Sequence, residues 1–150
     1  MRQLLLATLV AVTLGLGGCL NFNQPSDSKI KTMSTDYFNQ QFAGLFQLTD
    51  VTKNNGYKQS DTHYVAKVTL SAKAERSLED YAKTRMQDAD LSPLEKMSNS
   101  MAIGILKMTL PEFAAGDELT FKRNYLFIKT DNGWLLQKEL QDDTLNEPTL

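Results

Sequence analysis

The chain is short of the residues that carry most chemistry. It holds one cysteine, one histidine and one tryptophan in 150 residues. A single thiol excludes an internal disulfide. One His and one Cys fall short of the three or four ligands of a structural zinc site. His63 is the only side chain whose ordinary pKa lies near neutrality, and Asp61 stands two residues before it. Such a pair would suit an enzyme pocket, but His63 alternates away from the apolar series that begins at Tyr64. No catalytic residue is assigned. A glycine-rich phosphate loop, HExxH and Gly-x-Ser-x-Gly are all missing. Asp88-Ala89-Asp90 and Asp142-Asp143 lack the ligand order of an EF-hand loop. Neither metal nor organic cofactor is expected, and the chain is not expected to be an enzyme.

Basic charge is also scarce. Lys and Arg number 16 against 18 acidic residues, a formal net charge of −2. That excludes the basic footprint of a nucleic-acid binder. The longest apolar run, Leu4 to Leu16, is shorter than the roughly 20 residues of a membrane-spanning helix. No internal repeat is visible.

What is present begins at the amino terminus. Arg2 supplies a positive charge, Leu4 to Leu16 is apolar apart from Thr8, Thr13 and Gly15, and the small Gly17 and Gly18 follow. This is the layout of a secretory signal peptide. Leu16-Gly17-Gly18-Cys19 resembles the lipobox of bacterial lipoproteins at all four positions. The resemblance implies signal peptidase recognition of Leu16, Gly17 and Gly18, removal of residues 1–18, and a diacylglyceryl thioether on Cys19 with an acylated new amino terminus. At about 0.8 kcal/mol per buried methylene, two or three chains on one residue hold where a single chain is marginal. In that class an Asp after the Cys retains a protein in the inner membrane. Leu20 here implies the outer membrane, with the domain on its periplasmic face.

The expected organisation is then a lipidated Cys and tether over 19–30, an α+β domain over 31–140 and a flexible tail over 141–150. The spacing of Tyr37, Phe38, Gln41, Phe42, Leu45 and Phe46 predicts a helix from about Thr35 to Phe46, capped by Ser34 or Thr35. Gln47–Thr52 predicts a strand, with Asn54-Asn55-Gly56 opening a loop that extends to Asp61. Residues 62–74 alternate, placing Tyr64, Ala66, Val68, Leu70, Ala72 and Ala74 on one face. Helical spacing returns over 75–89. Ser92-Pro93-Leu94-Glu95 then starts a further helix with a capping box and Pro in the first position. Leu94, Met97, Met101, Ile105 and Met108 line one face of it, widened by Ala102, Ile103 and Leu106. This face is expected to be core. Pro111 ends the helix by Thr109 or Leu110. Residues 117–130 predict a strand, Asn132-Gly133 a hairpin, and 134–140 a last strand with Trp134, Leu136 and Leu140 opposing Leu135, Gln137 and Glu139.

Four strands with a leading helix and a central helical segment on one face make an α+β domain with an antiparallel sheet. Phe127-Ile128-Lys129-Thr130-Asp131-Asn132-Gly133-Trp134 is similar to the closing hairpin of cystatin-like and NTF2-like domains, although the helical insertion at 75–110 departs from the smallest of them. Those folds serve as enzymes, binding modules and scaffolds. Arg123 interrupts the apolar face of Leu119, Phe121, Tyr125 and Phe127. With Tyr125 it marks a candidate ligand pocket, though at a strand edge Arg123 is expected to reach water. The functional expectation is a lipid-anchored envelope protein, held to the membrane through Cys19, that acts as a non-enzymatic binding or assembly module for another envelope component. The alternatives are an NTF2-like pocket protein that binds or turns over a small ligand, and an inhibitor or immunity-type lipoprotein.

Overall fold

A computed structural model describes residues 23–141. Leu16, Gly17, Gly18, Cys19, the signal segment and the expected tail from 142 onward lie outside the described residues.

The first helix, α1, spans Asp27–Gln41. Ser26 caps it, its Oγ accepting from the Lys29 amide at 3.2 Å. Asp27 sits in the first turn, where a carboxylate favours the helix dipole, and reaches Lys53 at 2.7 Å. Ile30, Ser34 and Phe38 form the buried stripe at four-residue steps. The helix therefore opens well ahead of the expected Thr35, and Ser34 is a buried mid-helix residue, not a cap. Phe42 closes it, and Gly44 adopts φ +76°. Leu45 and Phe46, expected in the helix, instead turn the chain and begin the first strand, yet both stay in the core.

The sheet has four antiparallel strands in chain order: β1 (Phe46–Lys58), β2 (His63–Ala74), β3 (Glu118–Thr130) and β4 (Gly133–Leu140). β1 is longer than expected. It runs straight through Asn54-Asn55-Gly56, with register shifts at Leu48/Asp50 and Lys53/Asn55. Gly56 marks a close approach and not a turn, because a Cβ there would overlap the Tyr64 hydroxyl. The true turn lies beyond it, where the Gln59 and Ser60 amides both donate to the His63 carbonyl.

Period-two alternation sets the covered face as read. Tyr64, Ala66, Val68, Leu70 and Ala72 of β2 pair with Phe127, Tyr125, Arg123, Phe121 and Leu119 of β3 on the side that α1 covers, and Ala74 pairs with Phe46 of β1. Phe38 packs edge-on against Phe121 at 5.2 Å, and Phe46 stacks on Phe113 at 5.0 Å. Between β2 and β3 the chain makes a helical hairpin of α2 (Leu78–Met86) and α3 (Pro93–Thr109). Tyr81 is the member of α2 buried in the core. The capping box of α3 forms as expected: Ser92 Oγ accepts from the Glu95 amide, and Glu95 Oε2 accepts from the Ser92 amide at 2.8 Å. The helix ends at Thr109, with Leu110 as its cap. The domain is α+β, with its helices packed on the sheet.

The β3–β4 hairpin turns at Asp131 and Asn132, with Gly133 at φ +103°. A register shift follows in β4. Leu136 faces Phe127 while Lys138 faces Leu126, leaving Gln137 as an extra residue. One inserted residue reverses the parity of everything beyond it. Glu139, expected on the outer face, therefore pairs with Tyr125 on the covered face, and Leu140 pairs with Asn124 on the other.

Candidate interaction surface

The α3 stripe is where structure and expectation part. Its residues were expected in the core. They lie on the surface: Leu94 is 70 % exposed, Met97 61 %, Met101 65 %, Ile105 55 % and Met108 87 %. The helix is apolar on two sides, and only one of them faces inward. At 100° per residue, Ile103 and Leu106 lie on the opposite side from Met101 and do not widen its stripe. Ile103 is the one buried residue of α3, with Leu106 and Leu110 packing partly against the core. The inward side takes up the cover that the domain offers, and the Met-rich side is left over.

Two further properties define this surface. The charged groups of α3 lie off the stripe: Glu95 is engaged in the capping box, and Lys96 and Lys107 project to one flank on a helical wheel. The helix is also lightly held. Its main neighbour is α2, with the Asn99 side-chain Nδ2 donating to the Arg85 carbonyl at 3.4 Å. A helix of this length with one buried residue has little packing to support it, and most helical stability in proteins comes from packing. A contiguous exposed apolar patch of this kind is a candidate surface for a protein, a membrane or a ligand.

Beside α3 a cleft of about 320 Å³ opens between the end of α1 and the helical hairpin. Gln41, Tyr81, Arg85, Asn99, Ile103 and Leu106 contribute to its walls. Arg85 Nε donates to the Tyr81 hydroxyl at 3.2 Å, which fixes the polar corner.

Arg123 and Tyr125 do not line this cleft. Arg123 is only 8 % exposed, so the expectation that it reaches water is corrected. Its Nε lies 2.8 Å from Glu139 Oε1, an ion contact, while Nη1 donates to the Lys122 carbonyl at 3.1 Å. A buried guanidinium requires such a carboxylate. The sequence reading missed Glu139 because of the Gln137 bulge. Tyr125 is fully buried, edge-on to Tyr37 at 5.3 Å. Burial, and then the Glu139 charge, push its phenol well above the usual tyrosine range, so it remains protonated at neutral pH. Burial also raises the Glu139 carboxyl, and the Arg123 charge only partly offsets it. The cluster lies beneath α1 as an interior ion pair.

No family model matches this chain, and neither a curated protein nor a solved structure matches it. Function is therefore read from the surfaces of the domain itself.

His63 is on the open face of the sheet, as expected. Its Nδ1 lies 3.0 Å from Ser60 Oγ and 2.9 Å from Thr62 Oγ1. Asp61 pairs with Lys58 across the turn, and that bond holds its carboxyl below the usual range. The two residues are not assembled as a base and its orienting acid. Among the described residues no group of three or more His, Cys, Asp or Glu side chains is placed to hold a metal ion. No described helix is long and apolar enough to cross a membrane.

Proposed function

We propose that this protein is a lipid-anchored, non-enzymatic module of the bacterial cell envelope, and that it binds a protein partner through the outer face of α3. One observation carries the reading: five large apolar side chains stand more than half exposed along one charge-free stripe. Methionine suits such a face because its flexible thioether adapts to a partner's contours. The lipobox accounts for the one cysteine and for retention at the membrane. The resemblance to cystatin-like and NTF2-like domains adds a scaffold of the kind on which such surfaces are built.

Crosslinking in intact cells followed by mass spectrometry tests the reading. Wild type should give protein adducts through α3, and Met101→Glu, which places a charge on the stripe, should lose most of them. Adducts unchanged in Met101→Glu would contradict it. The anchor is read separately. Labelled fatty acid should enter wild type and not Cys19→Ser, and equal labelling of the two would overturn the assignment of Cys19.

The cleft beside Tyr81 and Arg85 supports a second reading, a carrier of a small apolar ligand, because its volume falls at the lower end of ligand sites, which span roughly 300–1,000 Å³. A small molecule retained in stoichiometric amount through purification would favour that reading over the first.

A further inference from the structure

We propose that the occupant of the α3 face is a second copy of this chain, its own α3 lying antiparallel across the first about a two-fold axis at Met101. This pairing rests on the binding role given to α3 above and names its partner. It follows from the spacing of the stripe. Leu94 and Met97 precede Met101 by seven and four residues, and Ile105 and Met108 follow it by four and seven. The stripe therefore reads the same from either end. A two-fold interface uses one patch on both copies and must be self-complementary. Turned end for end about Met101, the second helix brings Met101 to Met101, Ile105 level with Met97, and Met108 level with Leu94. Every level meets an apolar side chain. Gly104, whose Cβ position meets nothing within 4 Å, leaves one flank of the stripe open to a partner's side chain.

Side chains of this size and exposure present on the order of 600 Å² per copy, so full coverage of both stripes removes at most roughly 1,200 Å² from water, the same order as the ~1,000 Å² that a specific interface needs. A lipid surface suits the face less well. Helices that lie on membranes carry Lys and Arg along their polar side. Here Lys96 and Lys107 are accompanied by Glu95, with Asp88 and Asp90 in the preceding loop. The cleft places α3 beside Gln41, at the opposite end of α1 from the chain that leads to Cys19.

Disulfide trapping tests the geometry, using membranes that carry the full-length chain, a mild oxidant and non-reducing gels scored for bands absent from wild type. Met101→Cys should crosslink to itself, because the two positions meet on the axis. Met97→Cys alone should not, because its two copies lie about 12 Å apart along the helices, beyond the ~7 Å between Cα atoms that a disulfide spans. Met97→Cys together with Ile105→Cys should crosslink. A Met101→Cys chain that stays monomeric under oxidation would overturn the pairing, as would Met97→Cys crosslinking as readily as Met101→Cys. Adducts from α3 to a different protein would also overturn it, yet would leave the binding role of α3 standing. Adducts from α3 to nothing at all would remove both. Vesicle flotation of the unlipidated Cys19→Ser chain, abolished by Met101→Glu, would assign the face to lipid and overturn the pairing as well.

Discussion

Arg123 occupies a position where the alternation of β3 calls for an apolar side chain, and Glu139 on the neighbouring strand answers it. Burial makes the folded chain hold a proton on Glu139 more tightly than the unfolded chain does. The stability this group contributes is full below the ordinary carboxyl value of 4.5 and is lost as pH rises through the raised value. Glu139→Gln removes the titration. The difference in unfolding free energy, wild type minus Glu139→Gln, should therefore fall as pH rises from about 4 toward neutrality. Urea melts over that range measure it, and a difference that climbs would show that the Arg123 charge outweighs burial. Asp61 and Glu95, whose carboxyls are held low by Lys58 and Ser92, cancel in the subtraction. That Arg123 breaks an apolar alternating face was legible in the sequence, but its burial was not, since a strand-edge position was expected to let it reach water. Its carboxylate was not legible either, because the parity of β4 depends on a bulge at Gln137 that only the pairing with β3 reveals. Gly56 was misread for a similar reason: its purpose is to leave room for Tyr64, a residue of another strand.

At the scale of the element, α3 separates what is local from what is not. Its amino end was legible because Ser92, Pro93 and Glu95 satisfy one another within a single turn. Its orientation was not, because a helix apolar on two sides carries no internal sign of which side meets the core. That choice is made by α2 and by the packing of Ile103, Leu106 and Leu110. The early start of α1 was hidden for another reason: polar Ser34 occupies a step of its buried stripe. Ser92→Ala should weaken the α3 cap by about 1 kcal/mol. Because α3 buries only Ile103, the loss should stay local. Amide exchange should accelerate within 93–109 and remain unchanged in β2 and β3. Uniform acceleration across the sheet would show that α3 is held by the core after all, and no acceleration in α3 would show that the cap does not support it.

For the whole molecule, two long alternating strands and an Asn-Gly hairpin were enough to set the class, since each encodes one covered and one open face within its own stretch. The covered face is closed by α1, the other face carries His63 and the lysines of β2 around the buried Val65 and Leu126, and the α2–α3 hairpin joins this body through Tyr81, Leu106 and Leu110. The sheet and α1 form the packed body, and α3 presents the exposed apolar stripe on which the proposed binding role rests. Coverage of α3 in the working protein can be read from methionine oxidation, since a thioether reacts according to its exposure. Intact cells would be given a brief peroxide pulse, and sulfoxide formation at Met97, Met101 and Met108 compared by mass spectrometry with the rates in the urea-unfolded chain. A covered face predicts oxidation several-fold slower in cells than in the unfolded chain at all three positions. Oxidation in cells as fast as in the unfolded chain would contradict it.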